Sequence, residues 1–310
     1  MENKELPLVT LVVIAYNQEK YIREAIEGAF AQTYSPLEII LSDDNSPDST
    51  FAIMEEMASN YTGPHKIIVN RNNPNRGIGG HINRMMELSS GELIFISAGD
   101  DISLSNRVEK ITEIWMEDKS RKLIFSNSEL IDENSKHVEN YFYNGDLTEQ
   151  SLYDIIKNNS CCSGATAVID RDIFNEFGYL NSDICFEDRA WATRAKLIGK
   201  IYHTKDILIK YRCVGGISRK EMKRIDWFTK KALFWYENFI SDYKQKKTDL
   251  QCCFIKDNEL ENIINNKISV FSFKRDIIIN KCTMEKIFNS KLDYRDKLKL
   301  FAFCFVNRVI

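Results

Sequence analysis

The chain has no run of about 18 apolar residues, the length that would read as a membrane-spanning helix. Its opening, MENKELPLV, lacks the basic-then-apolar pattern of an export signal. Both absences lead to the expectation of a cytoplasmic protein. CxxC spacing is missing as well: the eight cysteines stand at 161, 162, 185, 213, 252, 253, 282 and 304. That argues for reduced thiols filling the core and against a disulfide framework. The four histidines, His65, His81, His137 and His203, show no metal-ligand spacing. Neither an internal repeat nor a low-complexity segment interrupts the 310 residues.

What is present is an ordinary globular composition, 44% hydrophobic and 28% charged, enough for one large domain and an appendage. Net charge is only −3, but it is unevenly spread. Residues 1–218 carry 22 Lys and Arg against 33 Asp and Glu, a balance of −11, and residues 219–310 carry 20 against 12, or +8. A basic tail implies an anionic partner, nucleic acid or a membrane surface. The terminal segment KLKLFAFCFVNRVI, with basic residues flanking Leu300, Phe301, Phe303, Phe305 and Val306, favours the membrane interface over nucleic acid. A terminal helix docked on its own domain is the alternative.

Apolar runs alternate with helical periodicity: LVTLVVIAY, then Ile22, Ala25, Ile26, Ala29 and Phe30 at helical spacing; EIILS, then DSTFAIMEEMASNY; KIIVN, then GGHINRMMEL; ELIFIS, then NRVEKITEIWMED; then KLIFS. The pattern predicts an α/β protein with a mainly parallel sheet flanked by helices. SLYDIIKNN reads as a helix, GATAVID as a strand, EDRAWATRAKLIG as a helix, and KIYHTKDILIKYRC closes the body. From about residue 220 the text is helical only. The expected organisation is a catalytic domain over 1–219 and a helical extension over 220–310.

Ligands of an open α/β sheet gather outside the carboxyl ends of its strands. Those ends supply Tyr16 and Asn17, then Asp43, Asp44, Asn45 and Ser46, then Arg71 and Arg76, then Asp100 and Asp101. The turn after the first strand, AYNQEK, holds no glycine, which removes the dinucleotide fingerprint; the Walker spacing is missing too. An aromatic ring, acids and arginines suit a base, a ribose and a metal-bound diphosphate, and Mg²⁺ or Mn²⁺ needs only one or two protein carboxylates. The plain reading of each piece stays open: DDNSPDST also suits a turn and helix cap, and Glu187 and Asp188 suit the positive end of a helix.

In this order, VVIAYNQEKYIREAI, EIILSDDNSPDST, ISAGDD and FEDRAWATRA resemble the inverting family 2 glycosyltransferases of the GT-A fold, over roughly residues 6–220. The resemblance implies a nucleotide-sugar site made of Ala15, Tyr16, Asn17, Asp44, Arg71, Arg76, Ser97, Ala98, Gly99, Arg212 and Arg219, with Tyr16 stacked on the base. It implies metal binding by Asp100, catalysis by Asp188 as general base, and an acceptor side bordered by Glu187 and Trp191, with Arg194 close by, although Trp191 suits a core position equally well. Two departures stand out: Ala98 replaces the first acid of the family's Asp-x-Asp motif, and Cys213 and Val214 stand where many relatives have a histidine.

The expected activity is metal-dependent transfer of one sugar from a nucleotide-diphospho-sugar, UDP foremost, to a saccharide acceptor. A polyprenyl-diphosphate-linked acceptor at the inner face of the cytoplasmic membrane would suit the basic tail, as in the building of O-antigen or capsule. The rivals are a sugar-nucleotide nucleotidyltransferase and a nucleotide-sugar-binding protein that has lost catalysis.

Overall fold

A computed structural model describes residues 5–213, 232–279, and the single positions 287, 294, 297 and 298. Val9–Ala15 (β1) is buried at six of its seven positions and lies between two parallel neighbours. Because side chains alternate across a strand, Leu11 and Val13 enter one core while Val12 enters the other. A strand covered on both faces must be apolar throughout, which is why its sequence reads as one hydrophobic run.

Ile22–Phe30 (α1) leads to Leu37–Asp43 (β2), Thr50–Ser59 (α2) to Lys66–Arg71 (β3), and Gly77–Leu88 (α3) to Leu93–Ala98 (β4). A two-residue strand, Ile102–Ser103 (β5), precedes Arg107–Glu117 (α4). The hairpin Arg121–Ile131 (β6) and His137–Tyr141 (β7) follows, then Leu152–Asn158 (α5) and a single 3₁₀ turn at Gly164–Thr166. Val168–Asp170 (β8), Asp172–Phe177 (α6), Glu187–Ile198 (α7) and Lys200–Arg212 (β9) complete this part. The sheet order is β3-β2-β1-β4-β8-β6-β9-β5, with β7 paired to β6. Its first four strands are parallel, β8 runs antiparallel to both neighbours, and β9 returns parallel to β6.

Helices α1, α2 and α4 place Ile22, Ile26, Met54, Val108, Ile111 and Trp115 against one face of the sheet. Helices α3, α5, α6 and α7 place Ile82, Met85, Ile155, Ile173 and Trp191 against the other. Each fully buried aliphatic side chain contributes about 1.5–3 kcal/mol, so both layers are needed to hold the sheet. The expected strand over GATAVID is shorter than read: Gly164–Thr166 forms the 3₁₀ turn and only Val168–Asp170 pairs.

The chain divides into two compact units, Met1–Gly215 and Gly216–Ile310. In the second, Leu233–Cys252 (α8) packs against Asn258–Ile278 (α9), with the Phe271 ring 4.8 Å from that of Phe239. Asp257 caps α9 by accepting from the amides of Glu259 and Leu260 at 2.9 and 3.1 Å. Lys246 and Asp242, both fully buried, pair at 2.9 Å one turn apart.

Candidate active site

The turn after β1 is fastened to the loop after β2. Asn17, in the left-handed region with φ 58°, donates its amide to the Ser46 hydroxyl at 2.9 Å. The Gln18 amide donates to Thr50 Oγ1 at 2.9 Å and the Glu19 amide to Asp48 at 3.2 Å. Backbone approach here is stabilised by side-chain acceptors, so the turn dispenses with the glycines a dinucleotide site would need. Ala15 lies beneath it, its carbonyl accepting from the Asp44 amide at 2.9 Å, and the Tyr16 ring is 50% exposed above.

Asp44 is buried, and its Oδ1 accepts from Asn72 Nδ2 at 2.8 Å and the Arg76 amide at 2.9 Å. No described residue donates to its Oδ2. One carboxylate thus sets the β3–α3 loop while keeping an acceptor for a ligand. Arg71 is tied into the frame, with Nε 3.3 Å from Asp43 Oδ2, a bond of 2.9 Å to the Ser46 carbonyl, and its guanidinium 5.0 Å over the Phe51 ring. Arg76 heads α3 with its side chain exposed. Beneath this loop His81 Nε2 meets Ser42 Oγ at 2.7 Å, and burial pushes the imidazole's pKa down while Asp44 and Asp43 pull it back.

At the end of β4 the Ser97 hydroxyl is buried with no hydrogen-bond partner, and the Gly99 amide donates to the Ile14 carbonyl at 2.8 Å. A Cβ at Gly99 would stand 2.7 Å from that of Ala15, so only glycine lets the Ser-Ala-Gly turn lie on β1. Asp100 is partly exposed; burial pushes its carboxyl pKa up, opposed by its own backbone, by Arg212 and by a hydrogen bond from Gln18. Asp101 differs, being buried with Oδ1 accepting from the Arg212 amide at 2.8 Å. Burial and the neighbouring Asp100 charge drive its pKa far up.

Arg212 departs from its expected place as a diphosphate clamp: its side chain is wholly buried and engaged with Asp100, Asp132, Ser135 and Glu24. Arg219 lies outside the described residues. Among the described residues no group of three or more His, Cys, Asp and Glu could cage a metal. The donor set fits a hard cation held by one carboxylate, with phosphate and water completing its shell.

Glu187 and Asp188 occupy the first turn of α7. Burial first, and the Asp188 charge second, push the Glu187 pKa up to about 8. Gly164 allows this approach, since a Cβ there would stand 2.9 Å from Glu187 Oε1 and 3.8 Å from Asp188 Cβ. The same 3₁₀ turn joins β4 through the Ala167 carbonyl, which accepts from the Ile96 amide at 3.3 Å. The segment Gly164–Ala167 therefore runs from the head of α7 to β4, the strand that ends at Ala98, two residues before Asp100.

Trp191 does not border a cleft: it is fully buried in the core beneath α7, its indole N–H without a partner. Arg194 is likewise buried, donating to the Gly178 carbonyl at 2.8 Å. Sequence reasoning passed over Gln18, Glu24, Ser135 and Gly164. Gln18 stood in the AYNQEK turn and was legible there; the others are brought in only by tertiary pairing.

Residues 10–178 match the family described as Glycosyl transferase family 2. An uncharacterized glycosyltransferase of Rickettsia typhi is 27% identical over 219 residues, 68% of this chain and 65% of that one, so the chain spans just under two thirds of that relative. Among solved structures, S. aureus TarS 1-349 in complex with UDP-GlcNAc superposes with a TM-score of 0.58 at 16% identity, covering 97% of this chain and 81% of that one. Mannosyltransferase PcManGT from Pyrobaculum calidifontis, in complex with GDP-Man and Mn²⁺, gives 0.54 at 14% identity over 99% and 82%. These likenesses bear out the GT-A-type α/β fold with a helical C-terminal part. With more than half of its length matched, the chain belongs to the family 2 glycosyltransferases.

Proposed function

We propose that the chain is a metal-dependent, inverting glycosyltransferase that moves one sugar from a nucleotide-diphospho-sugar, a UDP-sugar foremost, to a hydroxyl of a growing saccharide. What supports this reading is that Tyr16, Asp44 and Asp100 follow the carboxyl ends of the parallel strands β1, β2 and β4, and that Gly164, beside Glu187 and Asp188, stands three residues from Ala167, which bonds to β4. TarS with UDP-GlcNAc and PcManGT with GDP-Man and Mn²⁺ support the donor class and the cation.

In this mechanism the exposed Tyr16 ring stacks on the base and Asp44 Oδ2 accepts a base N–H, while Oδ1 stays bonded to Asn72 and Arg76. Arg71 braces the loop and Arg76 faces the incoming phosphates. Asn17 and the Ser97-Ala98-Gly99 turn line the donor channel, with Ala98 leaving room where the motif's first acid would reach the donor. Asp100 would hold a divalent cation, Mn²⁺ or Mg²⁺, which would supply positive charge to offset the negative charge developing on a nucleoside diphosphate leaving group. Asp188 takes the proton of the acceptor hydroxyl as that oxygen attacks the anomeric carbon from the face opposite the diphosphate, inverting its configuration. The raised pKa of Glu187, about 8, favours its neutral form at pH 7, so that Asp188 is the member of the pair proposed to receive this proton.

On this reading residues 1–219 form the catalytic domain and 220–310 a helical extension. Its basic balance suits a polyprenyl-diphosphate-linked acceptor at an anionic membrane, in the assembly of a bacterial surface polysaccharide. Among the described residues no helix is long and apolar enough to cross a membrane.

The test is a thermal-shift panel of UDP- and GDP-sugars with and without Mn²⁺, followed by NMR of the product's anomeric centre. Metal-dependent stabilisation by one donor and a β-glycoside from an α-linked donor are expected. Retained configuration, or pyrophosphate release from UTP and a sugar 1-phosphate, would overturn the reading.

A further inference from the structure

We propose that Arg212 is a positioning residue for the metal-binding turn and makes no contact with the diphosphate. The inference rests on reading Asp100 as the cation's carboxylate. A guanidinium has five N–H donors. All five are engaged within the protein. Nε donates to the Asp100 carbonyl at 2.9 Å; one terminal nitrogen donates to the Asp132 carbonyl at 2.8 Å and to Ser135 Oγ at 3.1 Å. The other reaches Ser135 Oγ at 3.1 Å and Glu24 Oε2 at 3.0 Å. The side chain has no exposed surface, and its flat face lies 4.4 Å over the Tyr21 ring.

Residue 212 therefore grips the turn twice. Its side chain holds the carbonyl of Asp100, and its own amide holds the Asp101 carboxylate at 2.8 Å. The Asp100 side chain projects from a peptide fixed on both counts. Behind the grip stands Ser135 at φ 61°, whose hydroxyl donates to Glu24 while it accepts from Arg212. Glu24 in turn offsets the guanidinium charge. An unpaired arginine this near a cation would repel it; here the charge is paired and the geometry is what remains.

That difference gives opposite signs in one experiment: binding of Mn²⁺ alone to the full chain, read by water-proton relaxation, for wild type, Arg212→Met, Ser135→Gly and Asp100→Asn. Positioning predicts that Arg212→Met weakens Mn²⁺ binding about tenfold, the range seen when partners behind a metal ligand are removed. Ser135→Gly, neutral and suited to a positive φ, should weaken it about two- to threefold for the same reason. A diphosphate clamp predicts the reverse, since losing a nearby positive charge tightens cation binding.

Folded Arg212→Met that holds Mn²⁺ as tightly as wild type, or more tightly, would overturn the proposal. Should that variant fail to fold, unchanged affinity in Ser135→Gly overturns it instead. Asp100→Asn should abolish the site. If it does not, the reading of Asp100 falls and the proposal with it, whereas loss in Asp100→Asn with no change in the other two rejects the positioning role alone.

Discussion

Burial, with the neighbouring Asp188 charge second, pushes the Glu187 pKa up to about 8, which favours its protonated form at neutral pH. Asp188→Asn should lower kcat by about 10²–10⁴-fold with little change in donor KM, measured as glycosyl transfer under saturating donor. The Glu187 shift has a consequence for stability as well. Below about 4.5 the folded and unfolded chains both carry this proton; between there and about 8 only the folded chain does. The unfolded state therefore gains from each rise in pH, and this group's contribution declines across that window. Glu187→Gln should show a shallower fall of Tm from pH 4.5 to 8 than wild type, and a parallel fall in both proteins would contradict it. The residues at the strand ends were legible because apolar runs stop abruptly at them. Trp191 was not, since its side depends on how α7 is rolled onto the sheet.

Among the elements, the parallel strands and their covering helices follow from hydrophobic period alone. Strands β5 and β7 do not, and of the run read as a strand over GATAVID only Val168–Asp170 pairs as β8. Two residues are too few to carry a period, and HVENY is exposed at all five positions, so no buried face marks it. These short antiparallel pieces exist because β4, β6 and β9 offer them backbone partners, which is a fact of tertiary pairing. The β1–α1 turn is the element where structure and proposed chemistry meet most directly. Ser46→Ala removes the acceptor for the Asn17 amide, so it should cost about 1 kcal/mol in urea unfolding. It should also raise donor KM more than it lowers kcat. Gly99→Ala, which brings a methyl group to 2.7 Å from Ala15, should destabilise by about 1–3 kcal/mol and impair metal-dependent turnover.

For the whole molecule, the decisive quantity is the separation of charge, −11 over residues 1–218 and +8 over residues 219–310. If the extension carries the enzyme to an anionic surface, binding to phosphatidylglycerol vesicles should fall steeply between about 0.05 and 0.5 M salt, as screening shortens. Removing residues 295–310 should release the protein from the membrane fraction. Co-sedimentation that ignores both salt and deletion would refute membrane attachment through this tail. Composition made the imbalance visible at once, but a count of charges says nothing of the face on which they are displayed.

Trp191 also offers something of practical use. An indole sealed in hydrocarbon, with no acceptor for its N–H and one helical turn from Asp188, should emit at the blue end of the tryptophan range. Trp115, whose indole donates to Asp170 at 2.8 Å, sits in a different field and gives the internal contrast. If the acceptor binds at the head of α7, its binding should register as a change in this blue-edge component of the intrinsic fluorescence, followed without a label and in real time.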